Sequence, residues 1–110
     1  MRDDGERLQD ILEAIAQVEK YSVRGRQVFD QDELVQVWIV HHLQIIGEAA
    51  NSLSSELITR YSRIPWAQIV AFRNLLVHEY FRVDLDAVWT IVQRNLPDLK
   101  NQIKAIIAER

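Results

Sequence analysis

The sequence predicts an all-α fold, and three observations support that prediction. The chain has 110 residues, which fits one domain spanning residues 1–110. It contains only 3 glycines and 2 prolines, too few for the many tight turns of an all-β fold. Its first segment carries apolar residues at spacings of three and four, which is the period of an amphipathic helix. We therefore expect a four- to five-helix antiparallel bundle.

The first helix is predicted from about Asp3 to Lys20, with Asp3 or Asp4 as its N-cap. Its apolar stripe includes Leu8 and Ile15. Residues 21–27 break this pattern, and we expect them to form a loop.

The second helix is predicted to begin at a cap, Asp30 or Asp32, and to run to about Leu53. Apolar residues occur nearly all round it, which indicates a helix that is central or faces a partner chain. Trp38 belongs either to that interface or to the core of the monomer. Gly47 costs a helix up to ~1 kcal/mol relative to alanine, and the close approach of another helix is the expected reason.

Turn and cap signals divide the rest of the chain. Pro65 suits the first turn of a helix, Asp84 can cap the next one, and Pro97 is expected to open the last. A short helix and connector are expected over residues 54–63. The remaining predicted helices cover residues 66–80, 85–95 and 98–109.

Composition excludes several functional classes. The chain has no cysteine, which excludes disulfide scaffolds, thiolate metal sites and cysteine nucleophiles. The charged N-terminal residues do not resemble a signal peptide, and the longest uncharged stretch, residues 34–47, is too short and polar to span a bilayer. We expect a soluble, cytoplasmic protein.

The charge balance limits how the chain could bind nucleic acid. The net charge of −3 argues against binding through bulk charge. Arginine supplies most of the basic residues, however, and its guanidinium suits bidentate contacts with phosphate. A local anion-binding site is therefore compatible with the composition.

His41 and His42 are adjacent on the second predicted helix and point about 100° apart. Helical metal ligands usually lie at i and i+4 on one face, and neither histidine has an acidic residue three or four positions away. We expect polar groups at a helix or subunit interface, with a metal site as the lesser alternative. We accordingly predict no metal ligands and no cofactor.

The third predicted helix carries a polar edge that could perform chemistry. On a helical wheel Arg73, Asn74, His78 and Tyr80 lie along this edge. The opposite side is apolar and is expected to face the bundle; it comprises Ile69, Phe72, Leu75 and Leu76.

The residue types on the edge suit cleavage of RNA. Arginine can hold a phosphate and stabilise the extra charge of a phosphoryl transition state. Histidine, whose unperturbed pKa is near 6.5, can take or return a proton at neutral pH. Together they suit attack by an RNA 2′-hydroxyl on the neighbouring phosphate, which needs no metal. The alternative is an ordinary Asn–His pair beside a surface arginine.

The spacing Arg73-x4-His78-x-Tyr80 resembles the motif of HepT-like toxins of the HEPN superfamily. One departure is Glu79, where relatives often have a small residue. The resemblance extends over most of the chain, through Gly47-Glu48-Ala49-Ala50, Trp66, Val83-Asp84, Val88-Trp89 and Leu96-Pro97.

This resemblance implies a homodimeric bundle in which two motif helices meet at a cleft. It implies a metal-independent endoribonuclease, the toxin of a type VII toxin–antitoxin system, with Arg73 and His78 as the catalytic pair. It also implies a partner, an MntA-like nucleotidyltransferase antitoxin that transfers AMP to the motif tyrosine, here Tyr80. A different class remains open: a non-catalytic helical binding module that partners a minimal nucleotidyltransferase.

Several other residues are candidates for supporting roles. Glu48 could orient Arg73 or Asn74, or form an ion pair at the rim of the cleft. Arg24 and Arg26 could contact RNA phosphate, with solvated surface charge as the alternative. Trp66 and Trp89 are expected to be core aromatic residues rather than platforms for stacking bases.

Overall fold

The computed structural model describes residues 3–78 and 83–110, and helices dominate both ranges. The prediction of an all-α fold is confirmed for these residues, whereas the dimer stays a prediction. The helices are α1 (Asp4–Ser22), α2 (Arg26–Gln31), α3 (Glu33–Asn51), α4 (Ser55–Arg60), α5 (Trp66–His78), α6 (Leu85–Thr90), a π-helical segment (Ile91–Asn95) and α7 (Leu96–Glu109).

Four of these helices have a short polar residue as their N-cap. Each cap side chain accepts a hydrogen bond from a backbone N–H of the first turn, which would otherwise be unpaired. Asp32 is the cap of α3, accepting from the N–H of Leu34 at 2.9 Å. The caps of α1, α4 and α6 are Asp3, Ser54 and Asp84.

α3 packs against both α1 and α5, and α7 packs against α1. α3 is thus central, as its all-round apolarity predicts. Trp66 is buried, and Trp89 is half-buried against the core, so both are core aromatics. Trp38 packs within the monomer, where its indole N–H donates to the Gln17 carbonyl at 2.8 Å.

The predicted loop over residues 21–27 is only partly correct. α1 continues to Ser22, and the unpredicted helix α2 begins at Arg26. Gly25 has φ 96°, a left-handed conformation that glycine adopts without steric cost and that allows the turn between them. α2 is stabilised by burial of Phe29, whose ring centroid lies 5.2 Å from that of Trp89.

The predicted break before Pro97 does not occur. Residues 85–109 form one continuous helical run, within which residues 91–95 are π-helical. Proline lacks an N–H and clashes with the carbonyl four residues earlier. The wider π turn provides room, because the N–H of Leu96 donates to the carbonyl of Ile91, five residues back.

Some large apolar side chains stay outside the core. Leu75 was expected on the buried face of α5 but is 54% exposed, whereas the adjacent Leu76 is buried. Leu34, Val37 and Val77 are also exposed, and so is Val23 in the turn after α1. The four residues that lie on helices, two on α3 and two on α5, are called the exposed apolar residues below. No helix in the described ranges is long and apolar enough to span a membrane.

Candidate active site

The candidate site lies where α3 and α5 pack together, and Gly47 permits their contact. A Cβ atom added at Gly47 would lie 2.1 Å from Arg73 Cβ and 2.6 Å from Arg73 Cγ. These distances are far below van der Waals contact. The expected reason for a glycine inside α3, close helix approach, is therefore confirmed, and the residue that approaches is Arg73.

The guanidinium of Arg73 is held at both terminal nitrogens. Nη1 donates to Oδ1 of Asn74 at 3.0 Å, and Nη2 lies 3.4 Å from Oε1 of Glu48. The third nitrogen, Nε, is buried and has no hydrogen-bond partner among the described residues. Each terminal nitrogen carries two N–H groups, so each can still offer one to a ligand at the exposed end.

Glu48 pairs with Arg73 and is itself largely exposed to solvent. Its side chain is 55% exposed, against 31% for Arg73. An ion pair of this exposure contributes up to about 1 kcal/mol to stability. An incoming phosphate can therefore replace or join this carboxylate at low cost, while Asn74 still fixes the other side of the guanidinium.

His78 is the last residue of α5 and is exposed. It follows Arg73 by five positions, which is a rise of about 7.5 Å and a rotation of about 140° around the helix. Tyr80 and Glu79 lie outside the described residues. The structure thus brings Arg73, Asn74 and Glu48 into contact and leaves His78 accessible beyond them.

Arg24 and Arg26, the two candidate RNA contacts outside the motif, differ in their surroundings. Arg26 bridges α2 and α6 by pairing with Asp30 at 2.7 Å and with Asp86. Hydrogen bonds from Asp30 and then Asp86 raise the pKa of the Arg26 guanidinium above its ordinary range. The guanidinium of Arg24 instead lies over the ring of Tyr21, 4.7 Å from its centroid.

His41 contacts His42, and His42 also contacts the indole of Trp38. The ring centroids of the two histidines are 5.1 Å apart, and Nδ1 of His42 lies 2.8 Å from the carbonyl oxygen of Trp38. Within the part of the chain that is described, no three His, Asp or Glu side chains are grouped so as to hold a metal ion. The geometry agrees with interface or packing roles for this pair.

The arrangement around Arg73 can bind an anion. A fixed guanidinium end, with its stem packed on a glycine, is a preorganised donor for a phosphate oxygen. Sequence reasoning identified Arg73, Asn74 and Glu48 but not the contact between Gly47 and the arginine stem. The signal for that contact was the glycine itself, placed one residue before the acidic partner in an otherwise continuous helix.

Comparisons with known proteins show the family to which the chain belongs. A family model described as Ribonuclease HepT-like matches residues 11–106. "Probable ribonuclease HepT" of Thermococcus cleftensis is 31% identical over 90% of this chain and 91% of its own length. "Gamma-glutamylcyclotransferase and putative RNase MJ0434" of Methanocaldococcus jannaschii is 34% identical over 93% of this chain, which spans only 46% of that relative. No solved structure matches at a significant level. The chain belongs to the HepT-like ribonuclease family.

Proposed function

We propose that this protein is a metal-independent endoribonuclease and acts as the toxin of a type VII toxin–antitoxin system in the cytoplasm. The observation that carries the proposal is the guanidinium of Arg73, fixed by Asn74 and Glu48 with its terminal end exposed. Membership of the HepT-like ribonuclease family supports RNA as the substrate.

In the proposed reaction Arg73 binds the scissile phosphate, and His78 takes the proton of the adjacent ribose 2′-hydroxyl. The 2′-oxygen forms a bond to phosphorus, and the bond from phosphorus to the 5′-oxygen breaks. The departing 5′-oxygen takes a proton from a second imidazole, which enters the reaction in its protonated form and acts as the general acid. The products are a 2′,3′-cyclic phosphate and a 5′-hydroxyl, and side chains supply every proton transfer and charge contact.

A second copy of the chain would complete this chemistry. One imidazole per chain cannot easily serve both the attacking and the leaving oxygen, which lie on opposite sides of phosphorus. A two-fold axis near α5 would supply a second His78 and Arg73. Exposed apolar residues on both helices of the site, Leu34 and Val37 on α3 and Leu75 and Val77 on α5, support a contact with a second copy.

We also propose that an MntA-like nucleotidyltransferase neutralises the protein by transferring AMP to the hydroxyl of Tyr80. The transfer would add one phosphodiester charge two residues beyond His78 in the sequence. A phosphate there could bind Arg73 through charge-assisted hydrogen bonds and exclude the RNA phosphate. The test is intact-mass spectrometry of the wild-type protein and of Tyr80→Phe after incubation with the antitoxin and ATP. Addition to Tyr80→Phe at the wild-type level would refute this acceptor.

RNA cleavage in the presence of EDTA tests the catalytic proposal. Wild-type protein should cleave single-stranded RNA, whereas His78→Ala and Arg73→Ala should lose at least a hundredfold in rate. Arg94→Ala is the matched control for Arg73→Ala, since Arg94 is an exposed arginine of the π-helical segment that lies outside the motif, and it should cleave normally. Activity that disappears in EDTA would overturn the metal-independent mechanism. Absence of cleavage by the wild type would favour the non-catalytic binding module.

A further inference from the structure

A cluster of basic and aromatic side chains lies at the C-terminal end of α1 and beside it on α3. We call it the aromatic–basic patch. α1 and the loop after it contribute three members, and α3 contributes three more. The members are Lys20, Tyr21, Arg24, Trp38, His41 and His42.

The patch is continuous, since each member contacts the next. Nζ of Lys20 lies 5.6 Å from the ring centroid of Tyr21 and 5.9 Å from that of Trp38. Tyr21 packs edge-on against Trp38 with centroids 5.4 Å apart, and Trp38 is 4.6 Å from His42. The guanidinium of Arg24 lies 4.7 Å from the centroid of Tyr21. Lys20 and Arg24 are therefore both within the range of cation–π attraction, about 6 Å.

The two cations of the patch differ from the basic residues that form ion pairs, and resemble Arg60, whose guanidinium lies over the ring of Tyr61. Arg26, Arg73 and Lys100 each pair with a carboxylate. Lys20 and Arg24 are exposed and lie over aromatic rings, and neither forms an ion pair within residues 3–78 and 83–110. On a chain of net charge −3, the patch therefore presents cations that no neighbouring carboxylate neutralises.

The patch also lies near the candidate active site. His41 precedes Glu48, the partner of Arg73, by seven residues. Seven residues are two helical turns, so the two side chains share one face of α3 about 10 Å apart. At the 3.4 Å rise of a stacked nucleic-acid strand, this distance corresponds to about three nucleotides.

We infer that the aromatic–basic patch binds single-stranded RNA beyond the cleaved phosphate. Unpaired cations that contact phosphate, interleaved with aromatic rings, are the combination by which proteins hold single strands without reading their sequence. The patch would thereby favour long substrates over short ones. This inference rests on the proposed function for the identity of its ligand.

The test measures binding separately from cleavage. The probe is a long, labelled oligonucleotide with 2′-O-methyl groups, which lacks the attacking hydroxyl. The patch variant is Lys20→Glu with Arg24→Glu. The matched control is Arg94→Glu with Lys104→Glu, which makes the same charge change at two exposed residues of the π-helical segment and α7. Circular dichroism checks that each variant is folded.

We expect the patch variant to bind the long probe roughly tenfold more weakly, which corresponds to two exposed charged contacts. The slope of log K against log salt concentration should become less steep by about 1.4, which is about 0.7 for each of the two lost phosphate contacts. The control variant should bind like the wild type. With cleavable RNA, KM should rise for the long substrate and stay unchanged for a dinucleotide.

Binding of the long probe at the wild-type level by the patch variant would overturn the inference. Equal losses in both variants would also overturn it, because they would show a general effect of charge. Loss of antitoxin binding with RNA binding intact would mean that the patch recognises protein instead. A protein that binds RNA through the patch but does not cleave it contradicts the catalytic proposal alone.

Discussion

The substitution Gly47→Ala perturbs the contact between α3 and α5 by one methyl group. The new Cβ would lie 2.1 Å from Arg73 Cβ, whereas ordinary contact begins at 3.4 Å. The two helices must therefore separate by roughly 1.3 Å at this point. The nearest atoms are the Cβ, Cγ and Cα of Arg73. Rotating the end of the arginine side chain therefore cannot relieve the clash.

Stability and activity should respond differently to this substitution. Overpacking costs about 1–3 kcal/mol, and replacing glycine by alanine in a helix returns up to about 1 kcal/mol. We expect the free energy of unfolding to fall by about 0–2 kcal/mol. A displacement of about 1 Å at a substrate-binding group costs about a hundredfold in rate. The rate of RNA cleavage should therefore fall about a hundredfold in a protein that remains folded.

The assays are thermal unfolding and single-turnover cleavage of RNA. Gly5→Ala is the matched control, since Gly5 is also helical and its added Cβ would approach Oδ1 of Asp3 only to 3.3 Å. The control should keep wild-type activity, and its free energy of unfolding should stay within about 1 kcal/mol of the wild-type value. Wild-type cleavage by Gly47→Ala would refute the importance of the close helix contact for Arg73. A loss of activity explained entirely by unfolding would refute it as well.

Three further substitutions test packing, electrostatics and the site. Phe29→Ala should lower the free energy of unfolding by about 3–5 kcal/mol, because the ring is fully buried, and urea denaturation measures this change. Hydrogen bonds from Ser54 lower the pKa of Asp4 below its ordinary 3.8, so its stabilising contribution is present at neutral pH and disappears as pH falls through the folded pKa. Asp4→Asn should accordingly lower stability by about 1 kcal/mol at pH 7 and converge with the wild type in acid, and a wild-type value at pH 7 would contradict this. Glu48→Gln keeps an oxygen acceptor for Arg73 but removes a charge, so RNA should bind about threefold more tightly, which a fluorescence titration measures; weaker binding would show that the charge is needed.

The sequence predicts the long helices well because their signals are local. Asp3, Asp32 and Asp84 are short polar residues before amphipathic runs, and each is an observed cap. α2 escaped prediction because only six residues are helical and its stability comes from burial of Phe29, a contact distant in sequence. The helix break predicted before Pro97 is wrong for the opposite reason. The local signal of the proline is strong, but a π turn accommodates it within a continuous helix.

The candidate site was predictable in its residues and only in part in its contacts, since the sequence offered a contact of Glu48 with Arg73 as one alternative among several. The motif spacing alone identifies Arg73 and His78 on one helix. That Glu48 pairs with Arg73, and that Gly47 receives the arginine stem, depends on how α3 and α5 pack. The exposure of Leu75 likewise depends on tertiary packing, because a helical wheel cannot show how much of a face the neighbouring helices cover.

The chemical form of the RNA ends tests the central claim most directly. The measurement is mass spectrometry of the fragments that the wild-type protein produces from single-stranded RNA in EDTA, with the equivalent DNA strand as the control substrate. Attack by the 2′-hydroxyl, with His78 and Arg73 as the acting groups, predicts fragments with 2′,3′-cyclic phosphate and 5′-hydroxyl ends and no cleavage of DNA. Fragments with 3′-hydroxyl and 5′-phosphate ends, or cleavage of DNA, would contradict it.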